Sequence, residues 1–204
     1  MNYPTFFNDV RKITLRDPLA EFLGAAERGV LEYSYLDAVK LAGHSCPTVA
    51  GAYLMNLKAL AHLYGAELPE RGAIRVAFRD DIAGGVTGVI ANVTGLITGA
   101  AQAGGFKGIG GKFDRRNLLA FNAAIAAEVR FERRDNGKGV DVSYNAGVVP
   151  PAAAMRELMG RIMDGDATPA EHGEFARLWQ DRVRRILIEH ADDPNLIVLK
   201  PAGA

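Results

Sequence analysis

The segment from Ile82 to Gln102 constrains the fold most strongly, because it carries no charged residue. An uncharged stretch of this length either crosses a membrane or is buried in a protein core. Asn92, Gln102 and three threonines make the segment more polar than a typical membrane span. We therefore predict a buried helix that begins at Gly85 and places an apolar residue at every third or fourth position, namely Val86, Val89, Ile90, Val93 and Ile97.

The composition is that of a globular protein that can bury a sizeable core. Hydrophobic residues make up 49% of the 204 residues, and 24 basic residues balance 24 acidic ones. Nucleic-acid-binding proteins usually carry a basic excess, so we predict no nucleic-acid partner and no membrane partner. A single cysteine excludes an internal disulfide and suits a reducing compartment, so we predict a cytoplasmic location.

The order of the sequence patterns predicts an α+β fold with a mixed β-sheet core. Helical patterns occupy most of the first 65 residues, with N-caps at Asp17 and Cys46 and a C-cap at Gly65. An alternating strand pattern follows in "AIRVAFRDD". Two further alternating runs flank Asn136-Gly137 and predict a β-hairpin with a tight turn in which both turn residues have positive φ. Helices, then strands, then helices again are typical of an α+β protein.

The chain changes character again at Pro150-Pro151. Two helical patterns follow, and the second has a capping box formed by Thr168 and Glu171. The segment "NLIVLKP" predicts a closing strand. We therefore expect an α+β core domain, residues 1–150, with the functional cleft, and a helical C-terminal extension, residues 151–204, that packs on this core.

The segment "GHSCPTVAGAYL", residues 43–54, holds the main candidate functional residues. Pro47 fits the first position of a long helix, which makes Cys46 the N-cap, where unpaired backbone N–H groups favour a thiolate. His44 and Cys46 lie two residues apart, so in an extended segment both side chains project to the same side. An imidazole and a thiolate together suit zinc or another borderline transition metal. Simple packing of an inert cysteine is the alternative.

Three further residues are candidates for the site. Asp80 and Asp81 end a predicted strand and point in opposite directions, so Asp81 is the candidate third metal ligand, with capping of the next helix as the alternative. The glycine-rich segment 104–111 does not have the spacing of a known nucleotide-binding loop. Its backbone N–H groups, together with Lys107 and Lys112, could still bind an anionic cofactor. A flexible connecting loop is the alternative there.

The segment "GHSCPTVAGAY" resembles the Gly-His-x-Cys-Pro…Gly-Tyr motif of the E-subunit family of formylmethanofuran dehydrogenase. "VIANVTGLITG" and "NGKGVDV" are similar to later segments of that family in the same order, so the likeness covers about Leu36 to Tyr144. The resemblance implies an α+β core, often dimeric, in which a histidine and a cysteine help to form a metal site in a cleft. His44 and Cys46 match those two residues.

The sequence also departs from the family pattern. Leu96 stands where the family has cysteine, and Gly88 stands near the position of its aspartate. The C-terminal zinc ribbon of many members cannot form, because the chain has no second cysteine. We therefore expect a divergent member with changed chemistry.

Two functions are consistent with the motif and the resemblance. The first is a zinc- or other divalent-metal-dependent protein, acting as an enzyme on a small molecule at the His/Cys site. The second is a non-catalytic module that binds or delivers a metal ion or haem in the same cleft. In either case the resemblance and the long apolar segment favour a homodimer that binds a small-molecule substrate or ligand.

Overall fold

A computed structural model describes residues 2–202 of the chain. Within this range the helices are α1 (Pro18–Phe22), α2 (Tyr35–Ala42), α3 (Pro47–Tyr64), α4 (Thr87–Thr98), α5 (Met155–Asp164) and α6 (Pro169–Arg184). The strands are β1 (Ile13–Arg16), β2 (Val30–Tyr33), β3 (Ile74–Phe78), β4 (Leu119–Ala120), β5 (Val129–Arg133), β6 (Gly139–Tyr144) and β7 (Ile197–Pro201). A π-helical turn, Arg185–Glu189, continues α6.

The core of the molecule is a five-stranded sheet with the strand order β4-β3-β5-β6-β7. β4 runs parallel to β3, and the other neighbours are antiparallel. This mixed sheet and the helices packed on it confirm the predicted α+β fold. β1 and β2 form a separate antiparallel pair that the sequence pattern did not predict. Each of these strands has only four residues, which is too short for a clear alternation.

The helix α3 lies at the centre of the packing and contacts α2, α4 and β6. Next to it, α4 buries Ile90, Val93 and Ile97, and begins two residues after the predicted start at Gly85. Burial of α4 therefore accounts for most of the uncharged segment 82–102. The prediction was wrong for Val86, which is the N-cap residue of α4 and is 52% exposed. Across residues 2–202, no helix is both long enough and apolar enough to span a membrane.

The predicted helix ends are confirmed. Cys46 is the N-cap of α3, Pro47 occupies the first helical position, and Gly65 ends the helix. Asp17 caps α1, and the capping box of Thr168 begins α6. These ends were predictable because each depends only on residues next to one another in the sequence.

The β5–β6 hairpin is present, but the prediction of its turn was wrong. The N–H of Arg133 donates to the carbonyl of Lys138, so residues 134–137 form a wider loop. Gly137 has a positive φ of 73°, whereas Asn136 does not adopt the left-handed conformation. Asn136 instead uses its side-chain Oδ1 to accept the N–H of Lys138 at 2.9 Å, and this bond closes the loop.

The residues after Pro151 join the core through both helices and a strand. α5 packs on α6, and α6 also contacts α3. Val183 of α6 and Ile186 and Leu187 of the following turn are buried in the core. The predicted closing strand is present as β7, which pairs with β6 along its whole length. A division of the chain into two domains at residue 150 stays a prediction. Strands from both sides of this residue pair in one sheet.

Candidate functional site

The candidate site is the α2–α3 turn, residues 43–46, which joins the end of α2 to the start of α3. Gly43 ends α2 in the left-handed conformation with a φ of 76°. Cys46 has an extended backbone, with φ −146° and ψ 168°, and begins α3. His44 and Ser45 lie between these two fixed ends, and the three side chains have different surroundings.

Cys46 is a buried cap residue. Its side chain belongs to the hydrophobic core cluster and is 9% exposed. Its Sγ accepts the N–H of Val49 at 3.4 Å, which is the N-cap bond of an 18-residue helix. The sulfur therefore lies at the positive end of the helix dipole, where negative charge is stabilised.

His44 is exposed and has one ring nitrogen fixed by the backbone. Its Nδ1 lies 3.0 Å from the carbonyl oxygen of Ala42. A carbonyl oxygen can only accept, so Nδ1 carries the proton, and Nε2 of the neutral ring keeps its lone pair. Nε2 forms no hydrogen bond within residues 2–202. Metal-binding histidines are typically held in this way, with the second ring nitrogen bonded to a carbonyl or carboxylate.

Ser45 connects the α2–α3 turn to the C-terminal helix α6. Trp179 Nε1 and Gln180 Nε2 donate to the Ser45 carbonyl at 2.9 and 3.2 Å. The Ser45 hydroxyl donates to Gln180 Oε1 at 3.1 Å, so it accepts from the Tyr35 hydroxyl at 2.9 Å. The conformation of the turn is therefore set from both sides, by α2 and by α6.

Tyr144, at the end of β6, is a second neighbour of the site that the sequence did not reveal. Its hydroxyl donates to the Pro47 carbonyl at 3.0 Å. Burial raises the pKa of Tyr144 to about 12; the charge of Arg182 opposes this shift, and the charges of Cys46 and Glu128 add to it. No local pattern links Tyr144 to Pro47, because the two residues lie 97 positions apart.

Asp81 lies in the turn after β3 and acts there as a local cap. Its Oδ1 accepts the N–H of Ala83 at 2.9 Å, and its Oδ2 accepts the side-chain amide of Asn122 at 3.1 Å. These two bonds, the first above all, lower the pKa of the Asp81 carboxyl. Asp80, rather than Asp81, lines a cavity of about 400 Å³ together with Glu128 and Thr87.

The three predicted metal ligands do not form one cluster. Among residues 2–202, no group of three or more His, Cys, Asp or Glu side chains is arranged to hold a metal ion. A site built on His44 and Cys46 alone offers one imidazole and one thiolate. The other coordination positions of a bound ion would be open to ligands from outside this chain. The pairing of His44 with Cys46 stays a prediction.

The glycine-rich loop uses several of its N–H groups internally. Ile109 and Lys112 exchange backbone hydrogen bonds of 2.9 and 3.0 Å around Gly110-Gly111. The N–H groups of Gly105 and Arg115 also donate to backbone carbonyls. Fewer N–H groups are therefore available to an anion than the sequence suggested. Both lysines are exposed; Lys112 lines a cavity of about 490 Å³, and Lys107 does not.

Comparison with protein families matches residues 41–193 to FmdE, described as "Molybdenum formylmethanofuran dehydrogenase operon". The matched region contains the α2–α3 turn, the central helix α3, the hairpin and the C-terminal helices. The chain belongs to the FmdE family, which confirms the resemblance seen in the sequence. The chain matches no curated protein.

Proposed function

We propose that the protein binds a divalent metal ion, zinc in the first instance, with His44 and Cys46 as its protein ligands. The hydrogen bond from His44 Nδ1 to the Ala42 carbonyl carries this proposal. It fixes the tautomer in which Nε2 has a free lone pair on the protein surface. Cys46 adds a sulfur at the N-terminus of α3, where it accepts the N–H of Val49.

Two protein ligands favour a ligand-binding role over a structural one. Structural zinc sites are closed by four protein side chains, whereas sites that bind substrates keep at least one position open. An ion held by His44 and Cys46 would keep more than one position open. We therefore propose that a donor atom of a small molecule completes the coordination.

The surroundings of the turn favour binding over catalysis as its role. The Tyr35 hydroxyl bonds to Ser45 of the turn and the Tyr144 hydroxyl bonds to the Pro47 carbonyl beside it, and burial raises the pKa of both tyrosines. A tyrosine with a raised pKa stays protonated at neutral pH and is a poor general base. Enzymatic turnover at this site would thus depend on the metal itself, which supplies Lewis acidity when bound.

Zinc content of matched variants tests this proposal. Cys46→Ser keeps an oxygen that can accept the Val49 N–H, so the fold should be retained with a change in stability of about 1 kcal/mol or less. His44→Gln removes only the exposed imidazole. Elemental analysis of untagged protein dialysed against zinc should find one ion per chain in the wild type and little in either variant.

The control is His62→Gln, because His62 is an exposed histidine on α3, the helix that Cys46 caps. This variant should bind as much zinc as the wild type. Equal zinc in the wild type and in Cys46→Ser, with both proteins folded, would contradict the proposal and leave Cys46 as a packed cap residue.

A further inference from the structure

Asp17 and Arg115, which are buried, and Arg71, which is half-buried, form a charged cluster at the start of α1, here called the buried cluster. Asp17 is 3% exposed; its Oδ2 accepts from Arg71 Nη1 at 2.9 Å, and its Oδ1 accepts from Arg115 Nη2 at 2.6 Å. The same Oδ1 also caps α1 through the N–H groups of Leu19 and Ala20. One carboxylate thus serves two guanidinium groups, and one positive charge of the buried cluster is not balanced.

The two guanidinium groups also have hydrogen-bond capacity to spare. Arg115 is 5% exposed, and its Nε and Nη1 form no hydrogen bond within residues 2–202; the same is true of Arg71 Nε. Burial lowers the pKa of Arg115, and the charge of Asp17 opposes this shift. These donors are enclosed by protein, so an anion in the cavity would act on the two guanidinium groups through their charge.

Arg115 is held by a fixed backbone arrangement. A Cβ at Gly72 would lie 2.5 Å from Arg115 Cζ. A Cβ at Gly99 would overlap Arg115 Nη1, and both glycines have a positive φ. Glycine at both positions lets the guanidinium pack directly on the backbone. The arginine is therefore preorganised, unlike a mobile side chain on the surface.

The 490 Å³ cavity is lined by Arg71, Arg115, Lys112 and Arg134, and it is here called the basic cavity. Lys112 and Arg134 form no ion pair within residues 2–202. Arg134 helps to lower the pKa of Asp114, after the hydrogen bonds from Arg116, but it lies beyond ion-pair distance. The other charged lining residues each have a partner, in the pairs Glu70–Arg16, Arg75–Glu132, Asp114–Arg116 and Asp135–Arg133. Arg16 also pairs with Glu21, and Arg133 also pairs with Glu67.

We propose that the basic cavity binds the phosphate group of a small molecule. Guanidinium groups bind phosphate through pairs of N–H donors, and a lysine adds a point charge. Lys112, Arg134 and the Arg71–Arg115 pair bring positive charge to one side of the cavity, which attracts an anionic group. The cavity volume of about 490 Å³ lies within the usual range of small-molecule pockets and exceeds the size of phosphate alone.

Titration with inorganic phosphate at neutral pH and constant ionic strength tests the proposal. Lys112→Gln and Arg134→Gln each remove one exposed cation of the cavity; Arg134→Gln also removes the hydrogen bond from Arg134 Nη1 to the Gly72 carbonyl. Calorimetry should show saturable binding to the wild type and about tenfold weaker binding to each variant, as expected for the loss of one charged hydrogen bond. The control is Lys107→Gln, a lysine of the same loop outside the cavity, which should bind like the wild type.

Further ligands identify the form in which phosphate is bound. Glycerol 3-phosphate that binds more tightly than inorganic phosphate supports a phosphate ester as the ligand, and the reverse order supports free phosphate. Tighter binding of succinate than of either ligand would overturn the assignment to phosphate. Equal weakening by Lys107→Gln and Lys112→Gln, or no saturable binding by the wild type, would overturn the site itself.

Discussion

At the scale of single residues, Gly51 of α3 makes the closest backbone contact next to the candidate site. A Cβ at this position would overlap the ring of Tyr144 at Cε1. We predict that Gly51→Ala displaces the tyrosine ring, breaks its hydrogen bond to the Pro47 carbonyl and lowers the free energy of unfolding by about 1–3 kcal/mol. Urea denaturation measures this change.

Gly173→Ala is the matched control, because Gly173 lies inside α6 and a Cβ there would meet no atom within 4 Å. Alanine has the higher helix propensity, so this variant should be more stable by about 0.5–1 kcal/mol. If Gly51→Ala were also more stable than the wild type, the close contact with Tyr144 would not exist as described.

Asp17 should make the stability depend on pH in a defined direction. Burial acts to raise the pKa of this carboxyl, but the bonds and charges of Arg71 and Arg115 and the two backbone N–H groups together lower it below its usual 3.8. A depressed folded-state pKa stabilises the protein above the unfolded value, and this contribution is lost as the pH falls through the folded value.

We therefore predict that Asp17→Asn is about 3 kcal/mol less stable than the wild type at neutral pH, because it leaves buried guanidinium groups without their carboxylate. The difference should shrink as the pH is lowered below 3.8. Chemical denaturation of both proteins across this range is the measurement. A difference that is the same at every pH would show that the Asp17 charge has no part in it.

At the scale of elements, the C-terminal region should be necessary for the fold. Truncation after Pro150 removes β7 and the buried residues Val183, Ile186 and Leu187. Each of these three side chains contributes about 1.5–3 kcal/mol on burial, so their loss approaches the whole stability of a typical domain. We predict an unfolded or aggregated product, observed by circular dichroism and gel filtration.

Met163→Ser is the control, because it tests whether any substitution in the C-terminal region destabilises the protein. Met163 of α5 is 80% exposed, so its side chain contributes little to the core. This variant should keep the wild-type melting temperature. A truncated chain that is monodisperse and melts cooperatively would show that residues 2–150 fold without the strand and helices that follow.

Most elements could be predicted because their signals are local. The N-cap at Cys46, the C-cap at Gly65 and the capping box at Thr168 each depend on residues within one turn of a helix. The hairpin was placed correctly for the same reason. The type of its turn was predicted wrongly, because the Asn136 side chain closes a loop wider than the two-residue turn that an Asn-Gly pair prefers.

The contacts that build the sites could not be predicted from one sequence. Tyr144 reaches Pro47 across the sheet, and Arg115 reaches Asp17 over 98 positions. Such pairs form only when the sheet and helices have packed, and no period or spacing in the sequence records them. Lys112 was a candidate in the sequence because it follows a glycine-rich segment, whereas Arg71 and Arg134, which line the same cavity, had no such signal.

At the scale of the whole molecule, the grounds for expecting a homodimer have changed. The part of the uncharged segment that forms α4 packs against α2 and α3 within one chain, so this part does not call for a partner, whereas Ile82 and Val86 before the helix are exposed. The family resemblance still favours a dimer, and we keep this prediction. Light scattering at micromolar concentration should give twice the chain mass, and the mass of a single chain would contradict it.

The bond between the Ser45 carbonyl and α6 has a consequence for biosynthesis. His44 and Cys46 leave the ribosome early, but Trp179 and Gln180, which fix the backbone between them, are translated more than 130 codons later. A nascent chain therefore carries the motif for most of its synthesis without the contacts that shape it. Whatever ligand the α2–α3 turn takes up, it meets the finished shape of the turn only after translation has passed α6.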